Sequence, residues 1–508
     1  MKSLAKNTAL VGGTEFMMMF VALLRNKYLA ITIGAQGFGV YNLLESFFHY
    51  ANLIAGSWLS TASLKYISEY NSQNRQEEVK VLFNMTTYLV FFSATAVSII
   101  FLVLFPVFQR AFLSQDVLFS YYAFFAASFW GTSFVNLFRV VLQGLMDIKK
   151  IVRIRIITQI ANLLTVILLV YLFDLVGLFV NLAIIAFFNA ILFFMAVKKK
   201  IKFERFNIKW YRTDVAKKIF SFSAIDVFLG FIDQTGEYLK RFLIMDFLSM
   251  ASLGLFAAAR GINKYLSMFT NSALFHFKPQ MSQALSPEDR KKGLNDYFRL
   301  MLLLGGMGSA AVVFFSSEVI RLLYSKDFVN LSSVLFVYVF VQFFSNISNG
   351  YMFSVVGMAK MGIHALAIVL SAPLTILIPY LYLTYEPPVL ATFFGMISPV
   401  PFQSAEEVKD ALGLFSIALG TISLIVIRVS IYGIFLRRNQ RVYMTYSNLF
   451  LLILGTLIIS LANFSLIYPL HYRIGFMLLA VMLYLMLLKK EEKDWLIKMI
   501  RKKILRKK

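Results

Sequence analysis

The chain has 508 residues, of which 59% are hydrophobic, 16% aromatic and only 15% charged, with a mean hydropathy of +0.72. No soluble globular domain needs so much apolar side chain to fill its cores, so the composition points to a polytopic membrane protein with no stretch left over for a large soluble domain. The net charge of +24 would suit a nucleic-acid binder, but the basic residues gather in alternate loops and at the C-terminus, the distribution a membrane imposes, and no nucleic-acid partner is expected. The absence of cysteine excludes disulfides, thiolate metal sites and cysteine nucleophiles.

Apolar runs of about 20 residues cross a hydrocarbon core of about 30 Å as helices. The first follows "MKSLAK" and reaches residue 33; it is longer than a signal-peptide core and has no small-residue cleavage site, so it is read as a retained first span. Further runs at 38–64, 80–105, 117–143, 152–172, 177–197, 216–246, 252–277, 295–317, 331–356, 363–384, 412–436, 443–465 and 471–488 bring the expected number of membrane helices to fourteen, an all-α fold. The connector "KKKIKFERFNIKWYRTDVAKK" (198–218) carries nine Lys/Arg, and "MDIKKIVRIR", "PEDRKK" and "RRNQR" are also basic, whereas "GAQGFG", "FDLVG" and "FLSMAS" are nearly devoid of them. The positive-inside rule then places the basic set and both termini in the cytoplasm.

The two halves repeat each other. "RAFLSQD" (110–116) recurs as "RLLYSKD" (321–327), "DLVGLF" (174–179) as "DALGLF" (410–415), Asn136 and Gly144 as Asn349 and Gly357, and "GVYNLLES" (39–46) aligns with "GLFAAARG" (254–261). All four matches fall in the same order, so two six-helix lobes in parallel orientation are expected. They are an N-lobe at 1–197 and a C-lobe at 216–436, joined by a basic linker at 198–215 and followed by two extra spans at 437–488. The offset between halves grows from 213 residues at Gly144/Gly357 to 236 at Asp174/Asp410, which locates an insertion at 387–409, "PPVLATFFGMISPVPFQSAEEVK". It reads as a short periplasmic elaboration or an ordinary long loop, with Ser404 and Glu407 resembling a capping box that opens the twelfth span. The tail at 489–508 places Trp495, Leu496, Met499, Ile500 and Ile504 on one side of a basic helix, either an interfacial anchor on anionic lipid or a basic tail that enforces topology.

The seventh span contains "DVFLGFIDQTGEYLKR" (226–241), five ionisable side chains inside an apolar run. At about 100° per residue Asp226, Asp233, Glu237 and Lys240 share one stripe, and Arg241 pairs with Glu237 at i, i+4. A charge facing lipid at a helix centre costs about 2.5 to 3.5 kcal/mol, so the stripe must face protein or water. The eighth span carries Arg260, Lys264, Ser267 and Asn271 on one face, and the second carries Glu45, His49, Asn52 and Gly56 at the equivalent offset of 215, polar again but of opposite sign. The first span adds Glu15, Arg25 and Lys27.

Two readings follow. In one, the first, second, seventh and eighth spans line a cavity where Arg25, Lys27, Lys240, Arg260 and Lys264 grip an anionic head group, arginine by its two-pronged fork and lysine as a point charge. In the other, the charges are internal salt bridges such as Glu237 to Arg241 or Glu45 to Arg260. Like charges at Asp233 and Glu237 favour protonation of one partner, which makes them, with Glu15, Glu45 and Asp226, candidates for H⁺ or Na⁺ coupling or gating. Arg139 and Arg428 read as snorkelling cations. No metal-ligand spacing surrounds His49, no phosphate-cradling Gly-rich loop is present, and the acidic residues that a membrane glycosyltransferase would place in large loops are missing apart from Glu406, Glu407 and Asp410. The chain reads as a transporter rather than an enzyme, with no catalytic residues, no metal and no cofactor beyond such an ion gradient.

"LLRNKYLAITIGAQGFGVYNLLESF", then "STASLKYISEYN" and "VVLQGLMDIKK", resembles the Wzx-type O-antigen and polysaccharide flippases of the multidrug, oligosaccharidyl-lipid and polysaccharide exporter superfamily. The resemblance is one of profile and layout over essentially the whole chain. It implies a V-shaped, MATE-like two-lobe transporter in the bacterial cytoplasmic (inner) membrane that alternates between inward- and outward-open states. Its substrate would be an undecaprenyl-diphosphate-linked oligosaccharide, an O-antigen or other surface-polysaccharide repeat unit on the way to lipopolysaccharide, moved from the cytoplasmic to the periplasmic leaflet. Membrane lipids, a polysaccharide polymerase and chain-length proteins are the implied partners, and the family's cationic cavity would correspond to Arg25, Lys27, Lys240, Arg260 and Lys264 by location. The acidic stripe and the 387–409 insertion depart from that pattern. A lipid II flippase shares the charge logic, a drug or cation exporter would prefer an acidic, aromatic cavity, and a membrane polymerase or ligase would be an enzyme.

Overall fold

The computed structural model describes residues 2–56, 59–106, 119–204, 213–283, 286–358, 360–386 and 404–488, with single positions at 392 and 395. The 110–116 repeat segment, most of the basic linker, the insertion up to residue 403 and the 489–508 tail lie outside the described residues. So do the side chains of Glu15, Asp226 and Asn271.

The described residues are α-helical apart from connectors and two 3-10 turns. In chain order the helices are α1 (Lys2–Thr32), α2 (Gly34–Ala55), α3 (Ser60–Ser72), α4 (Gln76–Val103), α5 (Phe119–Gly144), α6 (Ile148–Lys198), α7 (Thr213–Phe247) and α8 (Met250–Gln283). They continue with α9 (Pro287–Phe314), α10 (Ser316–Leu323), α11 (Ser332–Gly357), α12 (Met361–Ser371), α13 (Leu374–Tyr385), α14 (Ala405–Gln440), α15 (Tyr446–Phe464) and α16 (Leu470–Met486). Among the described residues, eight helical segments are long and apolar enough to cross a membrane; α1, α2, α7 and α8, which carry the ionisable residues, are outside that eight.

Local chemistry sets the breaks. The expected second span is two helices, because the chain leaves helical geometry at Gly56 and resumes at Ser60. Helix α6 turns back on itself at Asp174, whose φ is 48°, where the sequence left a connector between the fifth and sixth spans. Its two arms are fastened by polar pairs: Asn181 Nδ2 donates to Asn162 Oδ1 at 2.8 Å, Thr165 to Asn181 Oδ1 at 2.6 Å and Thr158 to Asn189 Oδ1 at 3.0 Å. In hydrocarbon such groups must bond internally. The expected eleventh span splits into α12 and α13 around Pro373, which supplies no N–H for a helical ladder. At α14 the Ser404 Oγ accepts from the Glu407 N–H at 3.2 Å, the N-cap expected there.

Two compact units divide the chain. The first is Met1–Ala258 with Ile320–Val329 and Ile368–Leu383; the second is Ala259–Val319, Asn330–Ala367 and Thr384–Lys508. In the first, a buried core of Ile67, Phe83, Phe138, Val141 and Phe193 lies between α3, α4, α5 and the second arm of α6, with the helices drawn together at small residues: a Cβ on Gly131 would lie 2.9 Å from Ala186. In the second, Tyr338 donates to the Leu414 carbonyl at 2.8 Å, tying α11 to α14. Arg473, 9% exposed, grips both Glu318 carboxylate oxygens at 3.0 and 2.8 Å and the Phe314 carbonyl at 3.1 Å, closing the end of α9 against α16.

The repeat read from the sequence reappears as packing. A Cβ on Gly144 would lie 2.7 Å from Ile67, in the first unit; one on Gly357 would lie 3.1 Å from the backbone of Met281, in the second. Gly357 follows Gly144 by 213 residues and Met281 follows Ile67 by 214. The same glycine near the end of a helix admits the same neighbouring helix in both halves.

Candidate functional site

Helices α2, α7 and the start of α8 meet in the first unit. Gly39 and Gly254, 215 residues apart, sit at the crossing of α2 and α8: a Cβ on Gly39 would fall 2.0 Å from the Met250 carbonyl oxygen and one on Gly254 2.0 Å from the Ala35 carbonyl oxygen. Met250 is itself the repeat equivalent of Ala35, so the contact is reciprocal in the way a twofold interface is. Phe38, beside Gly39, packs edge-on to Tyr324 and Phe328 at 5.8 and 5.7 Å.

One turn further along α2, the charged stripe of α7 docks. Arg241, 8% exposed, donates from Nε to Asn42 Oδ1 at 3.2 Å and from Nη1 to the Glu237 carbonyl at 2.6 Å, while its guanidinium lies 5.9 Å from the Phe256 ring of α8. Lys240, 3% exposed, places its ammonium on the Glu237 carboxylate; the i, i+4 partner anticipated for that carboxylate, Arg241, stands off at 4.0 Å. Glu237 therefore compensates two nearly buried cations, and its side chain stays a third exposed, at 32%. An aromatic seam seals the α2–α7 contact, with Tyr238 at 4.6 Å from Phe47 and 4.9 Å from Phe242. Asp233 is half-buried on the same helix.

Helix α1 contributes Arg25 and Lys27, both half-buried. Arg25 donates to the Asn26 carboxamide oxygen at 3.2 and 3.3 Å, and Glu45 of α2 is half-buried. Arg260, half-buried, and Lys264, exposed, belong to the second unit. The cationic set thus divides into Arg25, Lys27 and Lys240 in one unit and Arg260 and Lys264 in the other. Asn42 and Tyr238 were not singled out in the sequence. An asparagine inside the apolar run "GVYNLLES" was the available signal for the first; nothing distinguishes the second from the chain's 24 other tyrosines.

Outside the spans, Asp147 organises one end of the first unit. It caps α6, takes Lys200 at 2.9 Å and Lys150 at 3.3 Å, and so links the two ends of the α6 hairpin. Partial burial pushes its carboxyl up, but the hydrogen bonds from Lys200 and Lys150 outweigh this and hold it below the ordinary carboxylate value.

Apolar helices of membrane-spanning length, with ionisable residues held between helices, define a multi-pass membrane protein. Residues 4–285, more than half of the chain, match the model of the family described as polysaccharide biosynthesis protein, and the chain belongs to that family. Its fold is that of the lipid II flippase MurJ in an inward closed conformation, with a TM-score of 0.68 at 13% identity over 95% of this chain and 98% of the other. It is also similar to an inward-facing MATE-family multidrug resistance transporter of the MOP superfamily, at 0.63 and 11% over 83% and 96%, and to a MATE in a bent conformation, at 0.57 and 13% over 90% and 97%. At these identities the likeness is one of fold. No curated protein matches the chain by sequence.

Proposed function

We propose that this protein is a flippase of the bacterial inner membrane that moves an undecaprenyl-diphosphate-linked oligosaccharide, an O-antigen or other surface-polysaccharide repeat unit, from the cytoplasmic to the periplasmic leaflet by alternating access. Fourteen spans arranged as two six-helix lobes with two appended helices and cytoplasmic termini complete the reading. The observation that carries it is membership of a polysaccharide biosynthesis family by a chain with a transporter fold.

Chemistry supports an anionic cargo. Arg25, Lys27, Arg260 and Lys264 are the cations that meet the diphosphate, and Lys240 joins them when the Glu237 pair opens. A diphosphate bears about two negative charges, and an inside-negative potential favours outward movement of each by about 2.3 kcal/mol per 100 mV. Asp233 and Glu237, with Glu15, Glu45 and Asp226, are the groups through which H⁺ or Na⁺ would couple.

A drug or cation exporter is the second reading, favoured by the two MATE-family folds. Competition in proteoliposomes separates the two: a flippase exchanges a labelled undecaprenyl-diphosphate sugar between leaflets undisturbed by organic cations, whereas an exporter moves the cations and leaves the lipid in place.

A further inference from the structure

On the first unit, away from the α2–α7–α8 contact, α4, α5 and the second arm of α6 enclose a cavity of about 330 Å³ whose walls include Phe91, Trp130, Phe134, Phe187, Phe194 and Phe203. The rings brace one another: Trp130 lies 4.5 Å from Phe134 and 5.9 Å from Phe187, and Phe203 stacks on Tyr88 at 5.9 Å. The rim is open, with Phe91 41% and Ile191 56% exposed. Along α5 the lining runs from Phe138 to Trp130, about 12 Å at 1.5 Å per residue. A single leaflet is half of a core about 30 Å thick, so the groove is close to one leaflet deep.

One end of the groove is built and charged. The segment after α6 folds back so that Phe203 closes it: the Glu204 N–H donates to Asn84 Oδ1 at 3.0 Å, Tyr88 donates to the Glu204 carbonyl at 3.1 Å, and Lys80 meets the Glu204 carboxylate at 2.6 Å. The same segment, "KKKIKF", exposes Lys198, Lys199, Lys200 and Lys202. Lys200 is held by Asp147; among the described residues no carboxylate holds the other three.

We propose that this groove holds one acyl chain of an anionic phospholipid from the leaflet at the lysine-rich end, with its phosphate at Lys199 and Lys202. An apolar groove one leaflet deep with cations at its mouth matches a phospholipid in both length and charge. A polyprenyl chain would overrun it. By the positive-inside rule that leaflet is cytoplasmic. The bound lipid would fasten the α6 hairpin to α4 and α5 independently of what the protein transports.

The test is native mass spectrometry of the full-length protein titrated separately with phosphatidylglycerol and phosphatidylcholine of identical chains. The variants are Lys199→Gln with Lys202→Gln, Ile191→Trp at the exposed rim, and Lys326→Gln as an exposed lysine elsewhere; circular dichroism reports folding. Wild type retains phosphatidylglycerol preferentially, by about fivefold per lysine; the double lysine variant falls to the phosphatidylcholine level, Ile191→Trp loses both lipids, and Lys326→Gln behaves as wild type. Equal retention of the two lipids by wild type overturns the proposal, as does undiminished phosphatidylglycerol in a folded Ile191→Trp or its displacement by undecaprenyl phosphate at equal concentration. If Ile191→Trp does not fold, the double lysine variant, altered only at exposed positions, decides alone.

Discussion

Gly39 and Gly254 each stand where a single added carbon would strike the carbonyl oxygen of the residue equivalent to the other's own contact, Met250 for one and Ala35 for the other. The obstacle is backbone in both cases, so no side chain can rotate away, and the helices must part. Gly39→Ala and Gly254→Ala should each destabilise the protein by about 1 to 3 kcal/mol, by similar amounts. The double variant should cost clearly less than the sum, because both changes open one contact. Thermal unfolding in nanodiscs measures all three, and additive losses would show two independent sites.

Lys240 is almost fully buried, and Glu237 is the carboxylate on it. Removing the acid alone leaves two nearly buried cations without their carboxylate, whereas removing Lys240 with it leaves only Arg241, which keeps its bonds to Asn42 and to the Glu237 carbonyl. Glu237→Gln should therefore lose up to about 3 kcal/mol, the smaller end of the range because Glu237 is partly exposed. Lys240→Met combined with Glu237→Gln should recover the part of that loss that comes from Lys240. A double variant as unstable as Glu237→Gln alone would assign the cost to packing.

The legible part of this site is what one helix can specify by itself. The stripe Asp226, Asp233, Glu237, Lys240 follows from helical spacing, as does the reach of Arg241 to Glu237; that Lys240 lies closer to this carboxylate than Arg241 does was not read from the sequence. That Arg241 donates to Asn42 depends on which helix packs across α7, which spacing along one helix does not encode. The repeat was legible further: "GVYNLLES" and "GLFAAARG" were aligned as equivalents, and the structure places their leading glycines against each other. Breaks inside spans were not. The 38–64 run was read as one span, yet α2 ends at Gly56, whereas the Asp174 turn fell where hydropathy already dipped.

Asp147 supplies the pH dependence. Its folded pKa is depressed, so its contribution to stability is present above the unfolded carboxylate value of about 3.9 and is lost as pH falls through the lower folded value. Asp147→Asn keeps a side chain able to cap α6 but removes the charge. It should be less stable than the parent at neutral pH by no more than about 1 kcal/mol, since Lys150 and Lys200 are both 37% exposed. The gap should hold down to about pH 5 and close below about pH 4. Melting curves of the two proteins across that range check it; a gap that widens on acidification would contradict the assignment.

In the second unit, Arg473 binds both oxygens of Glu318 and a helix-terminal carbonyl. Lysine cannot reproduce a two-pronged contact with a third bond to Phe314. Arg473→Lys should cost about 1 to 3 kcal/mol despite keeping its charge. Parent-like denaturation of Arg473→Lys would show that charge alone suffices.

The transport reading rests on cations at the candidate site gripping a diphosphate, and leaflet exchange of a labelled undecaprenyl-diphosphate sugar in proteoliposomes tests it most directly. Arg260→Ala should abolish exchange, whereas Arg139→Ala, at an exposed position on α5, should leave it near the parent rate. Exchange that does not require the protein, or none across a range of lipid-linked sugars with the protein folded, would contradict a flippase and favour an exporter. Equal loss in both variants would contradict a diphosphate grip at Arg260.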